Sequence, residues 1–252
     1  MSFSFQFSSF LSILIVSIGV SVPTSAENAS SFLQQADAFY AKREDLPQAK
    51  IAMITYERAA VLNSTQSVEC FWKAARAAWW LGENTTDRTE QLAYFSQSMA
   101  FAKKAVDQNP ESVEAHFWLG AATGSYGKTK GVFKSLSLVK PIRQEMAEVI
   151  RLNDHFMNGA AYRVLGVVDF KVPGLMGGDI KRSKEELDKS LAMGPSDPFV
   201  HYDLIQYYIV IRQTQQAKAE FMILRALQPL PELQPEHAML VRKAEILLGT
   251  AH

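Results

Sequence analysis

The sequence predicts an all-α fold, a solenoid of stacked helical pairs, and three observations support that prediction. From about residue 29 onward, apolar residues recur at spacings of three and four, as on one face of a helix, and not at the spacing of two typical of strands. Glycine and proline are few, at 13 and 10 in 252 residues. Signals that end helices recur at Pro110, Asp154, Pro195 and Pro229, at intervals of 44, 41 and 34 residues.

The N-terminal segment, residues 1–26, is predicted to be a signal peptide. It contains no charged residue, its central part is apolar, and small residues precede a cleavage site after Ala26. The alternative is an uncleaved anchor, although the apolar run is short for a bilayer span of about 20 residues. The sequence therefore predicts a periplasmic or secreted protein with no transmembrane span after cleavage. Residues 27–252 are predicted to form the solenoid.

Composition excludes several classes of protein. Lys+Arg and Asp+Glu are equal at 26 each, so no basic excess points to nucleic acid. The single cysteine, Cys70, can form neither an internal disulfide nor a cysteine-based metal site, and it is expected to be buried. The five histidines are dispersed, and no nucleophile elbow, phosphate loop or dinucleotide fingerprint is present. We therefore predict no enzyme activity, no metal and no cofactor.

About five helical pairs are expected, followed by a capping helix over residues 234–248. In the second pair, residues 70–82 place small residues on one face, where a neighbouring helix can approach closely, with tryptophans beside them. Trp79 and Trp80 are adjacent and point about 100° apart, so they are expected to occupy different environments. Arg242, Lys243 and Glu245 are expected to form the polar outer face that a terminal cap needs.

The repeats resemble the tetratricopeptide repeat, whose period of about 34 residues equals the last interval. The Leu-Gly pair of the first helix occurs at residues 119–120 and 165–166, and Gly127 is expected to close its helix. Second-helix positions of the repeat occur at Ala52, Tyr56, Ala59, Ala217, Phe221 and Pro229. Glycine at 120 and 166 leaves room where two helices of a pair cross. The resemblance implies a right-handed tetratricopeptide-like solenoid.

Two middle repeats are expanded. Between Gly82 and Pro110, and between Gly127 and Asp154, the second helix or its lead-in gains about ten residues over the standard repeat. This layout, with the phrases at residues 158–166 and 173–179, is similar to the T-component (TatT) proteins of bacterial TRAP transporters. More distantly, it resembles the regulator of microtubule dynamics proteins.

The two resemblances imply different settings. The T-component family implies a periplasmic accessory protein that docks a solute-binding protein and has an apolar cleft. The microtubule-regulator family implies a protein inside a eukaryotic cell. The leading hypothesis is an exported protein-binding scaffold, accessory to a TRAP-type importer. The alternative hypothesis is a carrier of a small apolar molecule or lipid in an aromatic cleft.

Candidate binding residues are the aromatic residues on three consecutive first helices, together with one loop methionine. Such aromatic residues line the concave face of a tetratricopeptide solenoid, although core packing explains many of them equally well. The candidates are Trp72, Trp79, Trp80, Phe117, Trp118, Tyr126, Tyr162 and Met176.

Two further segments have both a structural and a functional interpretation. The loop before residue 180 is either a tight turn followed by Asp179 as a helix N-cap, or a gate in which Leu175 and Met176 contact a ligand. The stretch from Lys128 to Arg143 carries five basic residues and no acidic residue. It is either a solvated face or a surface for an acidic partner or lipid headgroups.

Overall fold

The computed structural model describes residues 25–62 and 64–249, and every regular element in that part of the chain is helical. Residues 1–24 of the predicted signal peptide lie outside the described residues. The α-helices are α1 Ser25–Tyr40, α2 Leu46–Leu62, α3 Ser67–Asn84, α4 Arg88–Gln108, α5 Val113–Lys130, α6 Val139–Asn153, α7 Ala160–Lys171, α8 Ile180–Met193, α9 Pro198–Val210, α10 Thr214–Ala226 and α11 Gln234–Leu248. Three 3-10 segments are Val132–Leu138, Gly174–Met176 and Pro231–Leu233.

The helices form five successive pairs, and this confirms the predicted all-α helical-repeat fold. Each of α1 to α10 packs on a helix next to it in sequence. In addition, α3 contacts α5, α5 contacts α7, and α7 contacts α9. These first helices of consecutive pairs therefore stand side by side as one wall, called the inner wall below. None of the described helices is long and apolar enough to cross a bilayer.

Glycines allow the two helices of a pair to cross closely, as predicted. A Cβ built on Gly120 would lie 2.4 Å from Cε of Met146, and one on Gly166 would lie 2.9 Å from Cγ of Leu187. The second pair uses the same device, because a Cβ on Gly82 would lie 2.5 Å from the ring of Phe95. A side chain at any of these positions would force the facing residue to shift.

The prediction that Gly127 closes its helix is wrong. Helix α5 continues to Lys130, and Gly131, with φ of 101°, ends it. Gly127 is buried inside the helix because the following 3-10 segment folds back against it. The Ser135 hydroxyl donates to the Gly127 carbonyl oxygen at 3.0 Å.

A histidine interaction that the third and fifth repeats share shows where the third repeat is longer. In each, a first-helix histidine contacts the carbonyl oxygen of the proline six residues earlier, at 2.9 Å. Its other ring nitrogen contacts a second-helix glutamate: His116 with Glu145 at 2.7 Å, and His201 with Glu220 at 2.8 Å. The glutamate follows 29 residues later in the third repeat and 19 later in the fifth. The ten extra residues therefore lie in the lead-in, which contains the 3-10 segment Val132–Leu138. In the second repeat, by contrast, α4 itself is long, at 21 residues.

Candidate functional site

A cavity of about 220 Å³ lies against the inner wall. Its lining comes from the first helices α3, α5, α7 and α9, from α6 and its 3-10 lead-in, and from α11. Four successive repeats and α11 therefore build the cavity together, and no single repeat could form it.

Aromatic rings form one side of the cavity. The Trp79 ring centroid lies 5.5 Å from that of Trp118 and 6.4 Å from that of Phe199, and Phe117 packs edge-on against Trp118 at 5.2 Å. The Trp79 indole N–H donates to the Ser125 hydroxyl oxygen at 3.0 Å, so its polar atom is satisfied and its ring faces apolar neighbours. Aliphatic side chains complete the lining: Leu138, Val139, Ile142, Val164, Val167, Val168, Val172, Met239 and Leu240.

Helix α11 covers the end of the stack and also crosses the inner wall. It packs on α9 and α10. Its Lys243 pairs with Glu83 of α3, and its Glu236 accepts from Nε of Arg43, in the turn between α1 and α2, at 2.8 Å. The expectation that Lys243 belongs to a polar outer face is therefore wrong. Lys243 reaches inward because Glu83, which lies in the cavity lining, provides a buried partner.

Cationic side chains outnumber carboxylates in the cavity lining. The cations are Lys128, Arg163, Lys171 and Lys243, and the carboxylates are Glu83 and Asp203. Glu83 forms ion pairs with two of these cations, Lys128 and Lys243. Burial alone would raise the pKa of Glu83, but Lys128, Lys243 and a hydrogen bond from Ser125 outweigh it and hold the pKa at about 2. Glu83 is therefore ionised, and two of the four cations share its charge.

The remaining two cations lie on α7. Arg163 Nη1 donates to Asp203 at 2.7 Å, and burial raises the pKa of Asp203 against the opposing effect of Arg163. Lys171 donates to the amide oxygen of Gln206 at 2.9 Å, and burial lowers its pKa. Within the part of the chain that the structure describes, Lys171 pairs with no carboxylate, and Nε of Arg163 is buried without a hydrogen-bond partner.

The structure places three of the eight candidate residues in the cavity lining, namely Trp79, Phe117 and Trp118. Trp80 is 1% exposed and lies elsewhere, because its indole N–H donates to the Arg43 carbonyl oxygen at 2.7 Å. The two adjacent tryptophans therefore occupy different environments, as predicted.

The other four candidates lie outside the cavity lining. Trp72, Tyr126 and Tyr162 are half-buried and pack beside the cationic groups of Arg76, Lys130 and Lys189, respectively. Met176 is exposed, in a separate depression on the outside of α6. Among the structural alternatives, Asp179 is the N-cap of α8, accepting from the backbone N–H groups of residues 181 and 182. Cys70 is buried, and burial raises its pKa to about 11.

Several lining residues were missed by the sequence reasoning. Phe199 and Tyr202 lie on the fifth first helix, where aromatic residues spaced by three repeat the pattern of the earlier units. That signal was available in the sequence. No sequence signal placed Lys171 and Lys243 in the cavity lining, because single lysines on amphipathic helices usually face solvent.

Comparisons with known proteins match this architecture. A family model described as Regulator of microtubule dynamics protein 1-3 matches residues 32–176. Regulator of microtubule dynamics protein 1 of Bos taurus is 24% identical over 122 residues, which are 48% of this chain and 36% of that protein. The aligned part therefore spans about a third of that relative's length.

Solved structures show the same fold. A tetratricopeptide protein of Thermus thermophilus, TTC0263, aligns with a TM-score of 0.61 at 17% identity, over 84% of this chain and 98% of that one. The pilF protein of Pseudomonas aeruginosa aligns with a TM-score of 0.53 at 12% identity, over 90% and 87%. The resemblance to T-component proteins stays a prediction. Because the family model covers more than half of the sequence, the chain belongs to the regulator of microtubule dynamics protein 1-3 family.

Proposed function

We propose that this chain is a non-catalytic binding protein whose inner-wall cavity holds a small amphipathic molecule with an apolar body and an anionic end. One observation supports this above all others: the cavity lining combines aromatic and aliphatic side chains with four cations and only two carboxylates. Ligand sites in proteins typically have this composition, an apolar wall with a few placed polar groups.

The size and chemistry of the wall suit an apolar body. A cavity of about 150 Å³ lined by apolar side chains accepts benzene, so the 220 Å³ here accommodates a larger group. Rings such as Trp79 and Trp118 provide large, rigid apolar surfaces. An alkyl chain or a ring system placed against them would lose contact with water, which favours binding by about 25 cal/mol for each Å² of apolar surface buried.

The unbalanced cations suit an anionic end. Lys171 has only an amide oxygen as its hydrogen-bonding partner, and the buried Nε of Arg163 has none among the described residues. A carboxylate or phosphate beside Lys171 would give its ammonium group a charge-assisted hydrogen bond. Burial lowers the pKa of Lys171, and a bound anion would raise it again.

The position of α11 favours a small molecule over a long peptide at this site. In the leading sequence hypothesis, a protein partner binds along the inner wall. Here α11 already lies across that wall, tied down by Lys243 to Glu83 and by Glu236 to Arg43. A protein partner would have to displace α11 or bind another face. We propose the scaffold role only for a partner that binds in one of these two ways.

The test is to identify what the purified full chain carries. Native mass spectrometry should show an added mass, and solvent extraction should release a molecule with an apolar body and an acidic group. Lys171→Gln should weaken binding of that acid by about tenfold while leaving a neutral hydrophobic fluorophore bound. Lys218→Gln, at an exposed lysine on α10, is the matched control. A protein that is empty and binds neither probe would contradict the proposal.

Export, and an accessory role beside a TRAP-type importer, are proposals that rest on residues 1–26 and on the T-component resemblance. Expression of the full chain in a bacterium should yield a periplasmic protein whose first residue is Glu27. It should also capture a solute-binding protein of that importer class. A product that keeps Met1 and stays in the cytoplasm would contradict export, without bearing on the cavity.

A further inference from the structure

Exposed apolar side chains stand next to unpaired lysines on one face, away from the cavity lining. Leu175, in the 3-10 turn Gly174–Met176, is fully exposed, Met176 beside it is 46% exposed, and Phe133 is 73% exposed. We call Phe133, Lys134, Lys140, Leu175 and Met176 the loop face.

The turn that carries Leu175 is held firmly in place. The Asp169 carboxylate is fully buried and accepts from Arg143 and, at 2.6 Å, from Nε and Nη2 of Arg182. Both arginines also donate to the Gly177 carbonyl oxygen at 3.1 Å. Because the turn is fixed at its base, the exposure of Leu175 is a property of the fold and not of a loose segment.

The two parts of the loop face are neighbours. Met176 lines a shallow depression together with Leu136, Val139 and Lys140, so the turn lies against α6 and its lead-in. Val139 also lines the inner-wall cavity. Phe133 and Lys134 belong to the same 3-10 segment as Leu136. Val139 is therefore shared by the lining of the cavity and the lining of the depression beside the loop face.

The charge of the loop face is positive. Lys134 and Lys140 are exposed and form no ion pair within residues 25–62 and 64–249. No acidic residue occurs between Lys128 and Arg143. The lysines are free to meet an external anion, because no carboxylate among the described residues forms an ion pair with them.

We infer that the loop face docks on the surface of an anionic lipid bilayer. Apolar tips such as Leu175 can enter the boundary between headgroups and acyl chains, while Lys134 and Lys140 meet acidic headgroups. An acidic protein would satisfy the lysines, but it would need a pocket for each protruding tip. A bilayer accepts them anywhere. The inference does not depend on the proposed function.

Co-sedimentation with vesicles tests the inference, using the full chain. Vesicles of phosphatidylcholine and phosphatidylserine should carry the protein down, and pure phosphatidylcholine vesicles should do so much less. The variant Lys134→Gln/Lys140→Gln should bind more weakly by about fivefold for each lysine neutralised. Leu175→Ser/Met176→Ser should weaken binding by at least tenfold. Added salt should reduce binding by the wild type.

Matched controls change the same residue types elsewhere. Lys42→Gln/Lys50→Gln removes two exposed lysines, and Met222→Ser removes a side chain that is 64% exposed. Both should bind vesicles as the wild type does, and circular dichroism should show every variant folded. Equal sedimentation of the loop-face variants and the wild type would overturn the inference. So would binding to polyglutamate without binding to vesicles, which would assign the face to an acidic protein.

Discussion

Filling the cavity from Gly124 should abolish ligand binding without destabilising the fold. Gly124 lies in α5 and in the cavity lining, and a Cβ built on it has no heavy atom within 4 Å. Gly124→Leu therefore places a side chain in open space, whereas most core insertions create clashes.

The two expected effects have opposite signs. Replacing a glycine inside a helix with a better helix former raises the free energy of unfolding by about 0.5–1 kcal/mol. The same leucine occupies part of a cavity of only about 220 Å³. We expect the affinity for a hydrophobic fluorophore to fall by more than tenfold. Gly124→Ala is the control, because alanine also raises the free energy of unfolding through its helix propensity but leaves most of the cavity open.

Fluorophore titration and urea unfolding measure these two quantities on the same samples. The expected pattern is loss of binding for the leucine variant only, and raised unfolding midpoints for both variants. A leucine variant that is more stable and binds the fluorophore as tightly as the wild type would refute the assignment of the cavity as the binding site.

Three further predictions concern the forces that hold the site. Gly166→Ala should lower the free energy of unfolding by about 1–3 kcal/mol, seen in urea titrations, because its Cβ would lie 2.9 Å from Leu187. The pKa of Glu83, held at about 2, lies below its ordinary value of 4.5. Ionised Glu83 therefore stabilises the fold above about pH 4.5, and that stability is lost as the pH falls toward 2; Glu83→Gln should remove this part of the acid dependence of the thermal midpoint. Arg43→Ala should cost about 3–5 kcal/mol in urea unfolding, because it leaves Glu236 buried without its partner, whereas a cost below 1 kcal/mol would show that α11 is held by other contacts.

The sequence contained enough information for the repeat architecture. Apolar spacing gave the helices, and the glycines at 120 and 166 indicated where paired helices cross. It could not show which part of each expanded repeat had grown. A longer second helix, as in α4, and a 3-10 lead-in, as in residues 132–138, add similar lengths to the period.

The candidate site was only partly accessible to sequence reasoning. Aromatic residues on first helices were expected at the inner wall, and Trp79 and Trp118 lie there. The position of α11 across that wall depends on pairs distant in sequence, such as Arg43 with Glu236, which are 193 residues apart. No local pattern encodes such a pair, so the enclosure of the cavity and the inward lysine of α11 emerge only from the structure.

Tryptophan quenching tests most directly whether an apolar ligand lies against the inner wall. The chain has four tryptophans, of which Trp79 and Trp118 line the cavity. A fatty acid carrying bromine on its alkyl chain should quench the wild type and a Trp72→Phe control. It should leave the fluorescence of Trp79→Phe/Trp118→Phe almost unchanged, while native mass spectrometry still detects the bound acid. Equal fractional quenching in that double variant would place the ligand elsewhere and contradict the cavity as the binding site.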